Sequence, residues 1–180
     1  MELLARAGVL GLPQAPPPIF VVGLLAPCHP EDGRCDAWVD GWVYEENSGL
    51  VEAANAGWFA LACEHGLFGE DQEFLLAVPA EQQDDDGDEV FEWRRVRLLD
   101  EWDLVGAGAE LLGSGSERPK MSMSSLDGSI VMRITTYPSG VSSIVLPEPW
   151  RAATVRSHMG RIAELAAQAN RADVPTPPGR

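Results

Sequence analysis

The sequence predicts an α+β domain, with a mainly antiparallel sheet, a central helix and a long C-terminal helix packed on that sheet. Eighteen glycines and fourteen prolines in 180 residues imply many turns. Short β-rich runs separated by turn pairs fill the last third. Apolar residues recur at helical spacing in only two long segments. The length fits one domain.

The N-terminal part of the chain predicts a short lead-in followed by a β-hairpin. ELLARAGVLGL is interpreted as a short helix that ends at a proline run, so residues 1–18 form a lead-in. IFVVGLLA (19–26) is then a strand, PCHPEDGRC a turn-rich loop, and DAWVDGWVYEE the returning strand. Residues 19–172 are predicted to form one α+β domain, and residues 173–180 a flexible tail.

The central helix is predicted over SGLVEAANAGWFALACEHG. Ser48 can cap its start, and Gly66 is placed to end it. QEFLLAVPA follows as a strand that leads into an acidic run.

The last third predicts an antiparallel meander and a helix. Asp127-Gly128 and Ser139-Gly140 separate three β-rich runs. A helix from about 150 to 172 follows Pro149, and its apolar stripe is expected to lie on the sheet. The stripe consists of Val155, Met159, Ile162, Ala166 and Ala169.

The acidic run QQDDDGDE raises the question of a calcium site. With Gly87 at position 6 of an EF-hand loop, Trp93 falls at position 12, where a bidentate glutamate is required. The run is therefore interpreted as a solvated hairpin connection around Gly87.

The strand after this connection, VFEWRRVRLL, changes its apolar phase in the middle. Phe91 and Trp93 share one parity, and Val96 and Leu98 the other. A β-bulge at Arg94-Arg95 would bring all four to one side and push the later arginines outward. The alternative is a strand covered on both faces.

Two tryptophans of the second strand can be read in two ways. Trp38, Asp40 and Trp42 alternate onto one face of the strand. Two rings around a carboxylate can bind a sugar, a cationic ligand or a partner's arginine, and they can equally belong to the core. The sequence leaves both readings open.

The cysteines do not predict a metal site. Cys28 and Cys35 are separated by six residues, more than the two to four usual within a structural zinc pair, and Cys63 and His65 lie elsewhere. Free thiols are expected, with a Cys28–Cys35 disulfide as an alternative. No metal is predicted.

Known catalytic and cofactor patterns fail, so a non-enzymatic protein without a cofactor is favoured. VGAGAELLG places Leu111 where a dinucleotide loop requires its third glycine. There is no P-loop and no nucleophile elbow, and the adjacent Ser157 and His158 of a helix do not face each other.

Charge is the strongest indication of function. The net charge is −15, and residues 31–110 hold 22 acidic side chains against four arginines, a net charge of −18. Such a surface repels nucleic acid and anionic lipid and attracts a basic protein. The N-terminal segment has no basic start and is cut by prolines, so no targeting signal is recognised and a cytoplasmic location is expected.

We therefore expect an acidic protein-binding or adaptor protein, such as an inhibitor, an immunity-type or a chaperone-like factor, that engages a basic partner. The alternative is a small-molecule-binding domain or small hydrolase with a pocket beside the C-terminal meander. The residues predicted to bind the partner are Trp38, Asp40, Trp42, Asp84, Asp85, Asp86 and Asp88.

Overall fold

The computed structural model describes residues 2–12, 25–41, 48–83, 89–106 and 120–172. Within these ranges the chain has an α+β fold, with a seven-stranded antiparallel sheet and three α-helices. The helices are α1 (Glu2–Arg6), α2 (Ser48–Glu64) and α3 (Ala153–Ala172). The strands are β1 (Val9–Gly11), β2 (Cys35–Asp40), β3 (Glu73–Gln83), β4 (Glu89–Leu98), β5 (Lys120–Ser124), β6 (Ile130–Tyr137) and β7 (Gly140–Pro147).

The strands follow the order β1-β4-β3-β5-β6-β7-β2 across the sheet. The predicted meander is present, since β5 pairs with β6 and β6 with β7, both antiparallel. Its first turn is closed by Asp127, whose Oδ1 accepts hydrogen bonds from the Ser129 amide (2.9 Å) and hydroxyl (2.7 Å). Gly128 has φ +74°, a backbone conformation that favours glycine.

Helix α2 covers one face of the sheet, as the predicted central helix. Trp58 is fully buried and has ring contacts with Phe59, Phe68 and Trp102. Its indole N–H donates to Asn55 Oδ1 at 3.2 Å. The helix therefore supplies the aromatic centre of the main core. Gly66, with φ +73°, follows the helix as predicted.

A smaller apolar cluster covers part of the opposite face. It combines the loop before β2 with the chain that enters α3, and both pack on β6 and β7. Its buried members are Leu25, Cys28, Val131, Ile144, Leu146, Ala152 and Val155.

The N-terminal prediction is partly wrong. The helix ends at Arg6 instead of continuing to the prolines, because Gly8 turns the chain with φ +74°. The following strand β1 pairs with β4 and buries Val9 in the main core. Residues 2–12 thus contribute to the same sheet and core as the rest of the chain.

The predicted N-terminal hairpin can be followed only in part. Residues 19–24 lie outside the described residues, and Leu25 is already in a turn, with its carbonyl accepting from the Cys28 amide. The predicted returning strand exists as β2, which pairs along its length with β7.

The predicted bulge in β4 is wrong. The register with β3 runs without interruption from Glu73↔Arg97 to Pro79↔Phe91. Val96 and Leu98 therefore face the α2 core, whereas Phe91 and Trp93 lie on the opposite face. The phase change is accommodated because the sheet buries residues on both of its faces. The hairpin of β3 and β4 is confirmed by their antiparallel pairing, and its connecting residues 84–88 lie outside the described residues.

The prediction that the apolar stripe of α3 lies on the sheet is confirmed for Val155 and wrong for the next two stripe residues. Val155 is buried, but Met159 and Ile162 are exposed at 39% and 42%. The helix is held at its first turn, where Asp32 accepts hydrogen bonds from the Ala153 amide (2.7 Å) and the Thr154 hydroxyl (2.7 Å). Beyond this turn every side chain from residue 156 to 164 is exposed, and the side chains of Ala166 and Ala169 lie outside the described residues.

None of the helices in the described ranges combines the length and the hydrophobicity needed to span a bilayer.

We predict that Trp58→Ala lowers the free energy of unfolding by about 3 to 5 kcal/mol, because it removes a fully buried ring. Trp93→Ala should lower it by only about 1 to 2 kcal/mol, because Trp93 is half-buried on an unbulged strand. Urea unfolding of both variants measures the difference. Equal losses would mean that Trp93 is a core residue after all.

A second prediction concerns the start of α3. Asp32→Ala should reduce helix content and lower the unfolding midpoint, because the first amides of α3 lose their acceptor. Circular dichroism and thermal unfolding measure both effects. Glu31→Ala is the matched control, because the neighbouring exposed carboxylate makes no such bond among the described residues. Equal behaviour of the two variants would contradict the capping role.

Candidate functional site

Two of the predicted partner-binding residues, Trp38 and Asp40, lie together on β2. This strand is the last of the described sheet, and its residues alternate between the core and solvent. Ala37 and Val39 pack against the main core, so Asp36, Trp38 and Asp40 project from the opposite face. The other predicted residues, Trp42, Asp84, Asp85, Asp86 and Asp88, lie outside the described residues.

Trp38 is a surface residue, so the reading of this ring as part of the core is wrong. It is 46% exposed, and its ring lies 5.8 Å (centroid to centroid) from that of Tyr137, which is also 46% exposed. The two planes are tilted by 41°. Tyr137 ends β6 and reaches this position because β6, β7 and β2 are successive neighbours. Sequence reasoning missed Tyr137, because only the β7–β2 pairing brings it beside Trp38.

The orientation of the Trp38 indole is fixed by its surroundings. Its Nε1–H donates to Asp40 Oδ1 at 2.6 Å. Gly140 lies opposite Asp40 in the register, and a Cβ at position 140 would lie only 2.8 Å from Trp38 Cζ2. The indole therefore occupies space that a side chain at position 140 would need. Tyr137 lies beside it, so the exposed ring has neighbours at Asp40, Gly140 and Tyr137.

Carboxylates surround this aromatic pair. Asp36 is joined to Arg34 at 2.7 Å, and Arg34 is in turn held by the carbonyl oxygens of Ala26 and Cys28. The described residues supply no cation to Asp40, whose side chain is exposed. The surface thus combines two exposed rings with a carboxylate that no cation of the described residues neutralises. We call Trp38, Asp40 and Tyr137 the β2 surface.

The second charged cluster lies on β3 and β4. Arg95 and Arg97 share one face, as the sequence suggested, but through ordinary strand alternation. Glu73 is buried between them, accepting from Arg97 at 2.7 Å and also from Arg95. Hydrogen bonds from Arg97 and then Arg95 hold the pKa of Glu73 below its usual range, and the bond to Glu73 raises the pKa of Arg97. These charges pair with one another as in a structural ion-pair network, although the buried Nε of Arg97 has no hydrogen-bond partner among the described residues.

Two shallow depressions lie beside the first turns of α3, where the alternative function would need a pocket. Their volumes are about 480 Å³ and about 500 Å³. Ser157 and His158 both line the second one, but no hydrogen bond joins them within the described part of the chain. The first depression is lined by Glu31, Asp32, Gly33, Pro147, Glu148, Arg151, Ala153 and Arg156. The second is lined by Pro27, Ala153, Thr154, Ser157, His158 and Arg161.

All three cysteines carry free thiols, and Cys28 and Cys35 form no disulfide. Burial raises the pKa of the Cys28 thiol, and burial also raises that of Cys63, which disfavours the reactive thiolate in both. Among the residues with described positions, no three His, Cys, Asp or Glu side chains are arranged to hold a metal ion.

Glu73 is predicted to make stability depend on pH. Its folded pKa lies below the unfolded value of about 4.3, so its contribution is complete above that pH and is lost as the pH falls through the folded pKa. Glu73→Gln should be less stable than the wild type at pH 7, and this difference should shrink towards pH 3. Urea unfolding at both pH values measures it. Glu52→Gln removes an exposed carboxylate of α2 and serves as control. A pH-independent difference for Glu73→Gln would contradict the network.

The chain was compared with known proteins. No family model matches it, and neither the curated proteins nor the solved structures yield a significant match.

Proposed function

We propose that this chain is an acidic, non-enzymatic protein-binding or adaptor protein that engages a basic partner through the β2 surface. The observation that carries the proposal is that Trp38 is 46% exposed and yet held by Asp40, Tyr137 and the backbone of Gly140. Large apolar rings at a surface lose contact with water when a partner covers them, and tryptophan and tyrosine are enriched among residues that dominate binding energy.

The charge of the chain supports a basic partner. The region 31–110, which contains β2, carries a net charge of −18. A field of this sign raises the association rate of a cationic protein and repels an anionic one. Asp40 then provides a local acceptor beside the rings, where a lysine or arginine of the partner can sit.

The rigidity of the β2 surface supports the same proposal. An exposed side chain that is free to rotate loses conformational freedom when a partner binds, which weakens the complex by about 0.5 to 1.5 kcal/mol per side chain. Trp38 is already restrained by its hydrogen bond to Asp40 and by the close approach to Gly140. Most of that loss is therefore incurred on folding, before the partner arrives.

The alternative of a small hydrolase has less support. The two depressions beside α3 are shallow, and Ser157 and His158 in the second one form no described hydrogen bond with each other. Asp32, which lines the first depression, accepts hydrogen bonds from the Ala153 amide and the Thr154 hydroxyl at the start of α3. Its bonds are those of a helix cap, so no further catalytic role is needed to explain it.

We predict that Trp38→Ala weakens binding of a cationic peptide rich in arginine and lysine by at least about tenfold, the loss typical of a central interface residue. Stability should change little, because the ring is half exposed. Isothermal titration calorimetry measures the affinity, and urea unfolding measures the stability. Raising the salt from about 0.1 to 1 M, which shortens the Debye length from about 10 to 3 Å, should weaken wild-type binding.

Trp150→Ala is the matched control, because Trp150 is 50% exposed and follows the end of β7 opposite to Gly140. It should retain wild-type affinity. A peptide of equal length with serine in place of each basic residue tests the charge requirement. Binding that is unchanged by Trp38→Ala, or that does not depend on salt, would contradict the proposed function.

A further inference from the structure

We infer that the group recognised at the β2 surface is the guanidinium of an arginine, in preference to the ammonium of a lysine; this inference rests on the proposed function. The net charge of the chain does not distinguish the two, because arginine and lysine each carry one positive charge. The geometry of Trp38 and Asp40 distinguishes the two cations.

The first step is the position of the carboxylate. An indole N–H points outward in the plane of its ring, so the acceptor Asp40 lies beyond the edge of the Trp38 ring and not above its face. The carboxylate and the exposed ring face are consequently neighbouring but separate places. A cation interacts with both the ring and the carboxylate only if it covers the ring and also extends past the edge of the ring.

The second step is the shape of the cation. A guanidinium is planar, weakly hydrated and carries five donors directed outward, so it can stack on the indole while its edge donates to the carboxylate. An ammonium is a compact and strongly hydrated point charge. Placed over the ring it loses the bond to Asp40, and placed at Asp40 it leaves only its uncharged alkyl chain against the ring.

The third step is the space around Trp38. Gly140 lies against the indole, since a Cβ there would lie 2.8 Å from Cζ2 and 3.0 Å from Cε2. Tyr137 is a second neighbour, with its plane tilted by 41° to that of Trp38. Trp38 is nevertheless 46% exposed, so nearly half of its surface is open to solvent. A planar group can reach the ring through this open part.

The experiment uses the full-length protein and three short peptides, identical except for one central residue. That residue is arginine, lysine or citrulline, which resembles arginine in shape but has no charge. The probe is the indole N–H resonance of Trp38 in a nitrogen–proton correlation spectrum, assigned by its disappearance in Trp38→Phe. Titration of each peptide gives its dissociation constant at this site.

The expected result is that the arginine peptide binds at least fivefold more tightly than the lysine or citrulline peptide. Asp40→Asn should reduce the arginine preference to less than twofold, whereas Asp36→Asn, a neighbouring carboxylate already paired with Arg34, should leave it intact. Trp150→Ala should also leave it intact.

Several results would overturn the inference. Equal binding of arginine and lysine would overturn it and leave the proposed function standing, because a basic group would still bind at Trp38. Equal binding of arginine and citrulline would exclude a charge-dependent contact. If no peptide moves the Trp38 resonance, the inference fails, and the calorimetric titration with the longer cationic peptide decides the proposed function separately.

Discussion

Burial of β3 on both faces is the constraint on which the rest of the structure depends. Five consecutive residues of this strand, from Phe74 to Val78, are at most 7% exposed. Alternate side chains of a strand point to opposite faces, so neither face of the sheet can be left to solvent at this point. Side chains of one parity join the main core that contains Trp58 of α2, and those of the other parity share their face with Trp93 and Arg95 of β4. The ion pairs of Glu73 follow from this arrangement, because a carboxylate at the start of a doubly covered strand requires cationic partners.

The same constraint bears on where exposed aromatic rings occur. The covered stretch of β3 offers no place for a half-exposed ring, and such rings lie instead near strand ends or on the last strand, as Phe91, Tyr137 and Trp38 do. At β2, by contrast, Ala37 and Val39 pack against the main core, and the side chains of the opposite face are exposed to solvent. Trp38 is therefore exposed without weakening the main core. An interaction surface at this edge can change while the packing of β3 and α2 is preserved.

The local elements were predictable from the sequence because their signals lie within a few residues. Turn pairs such as Asp127-Gly128 mark the meander, and Ser48 and Gly66 bracket α2. Pairings between distant segments were not predictable. Nothing local indicates that β2 joins β7 or that β1 joins β4, and without these pairings neither Tyr137 nor Val9 can be assigned a neighbour. The change of apolar phase in β4 was recognised from the sequence, but its cause was predicted wrongly. The strand has no bulge at this point, and its apolar residues lie on two different faces of the sheet. The packing of Met159 and Ile162 of α3 was predicted wrongly for a similar reason. Helical spacing predicts that a helix has an apolar face, but it does not predict which element packs against that face.

The start of α3 has a consequence for the order in which the molecule assembles. Its first amide is capped by Asp32, which lies 121 residues earlier in the chain. An isolated helix usually takes its cap from an adjacent residue, so it can begin to form alone. Here the cap arrives only when the loop before β2 has been brought to the end of β7, and that loop is placed by the pairing of β2 with β7. The C-terminal helix is therefore tied to a slow kind of folding event, the closure of a long loop between distant strands. Its capped first turn requires that β2 has joined β7.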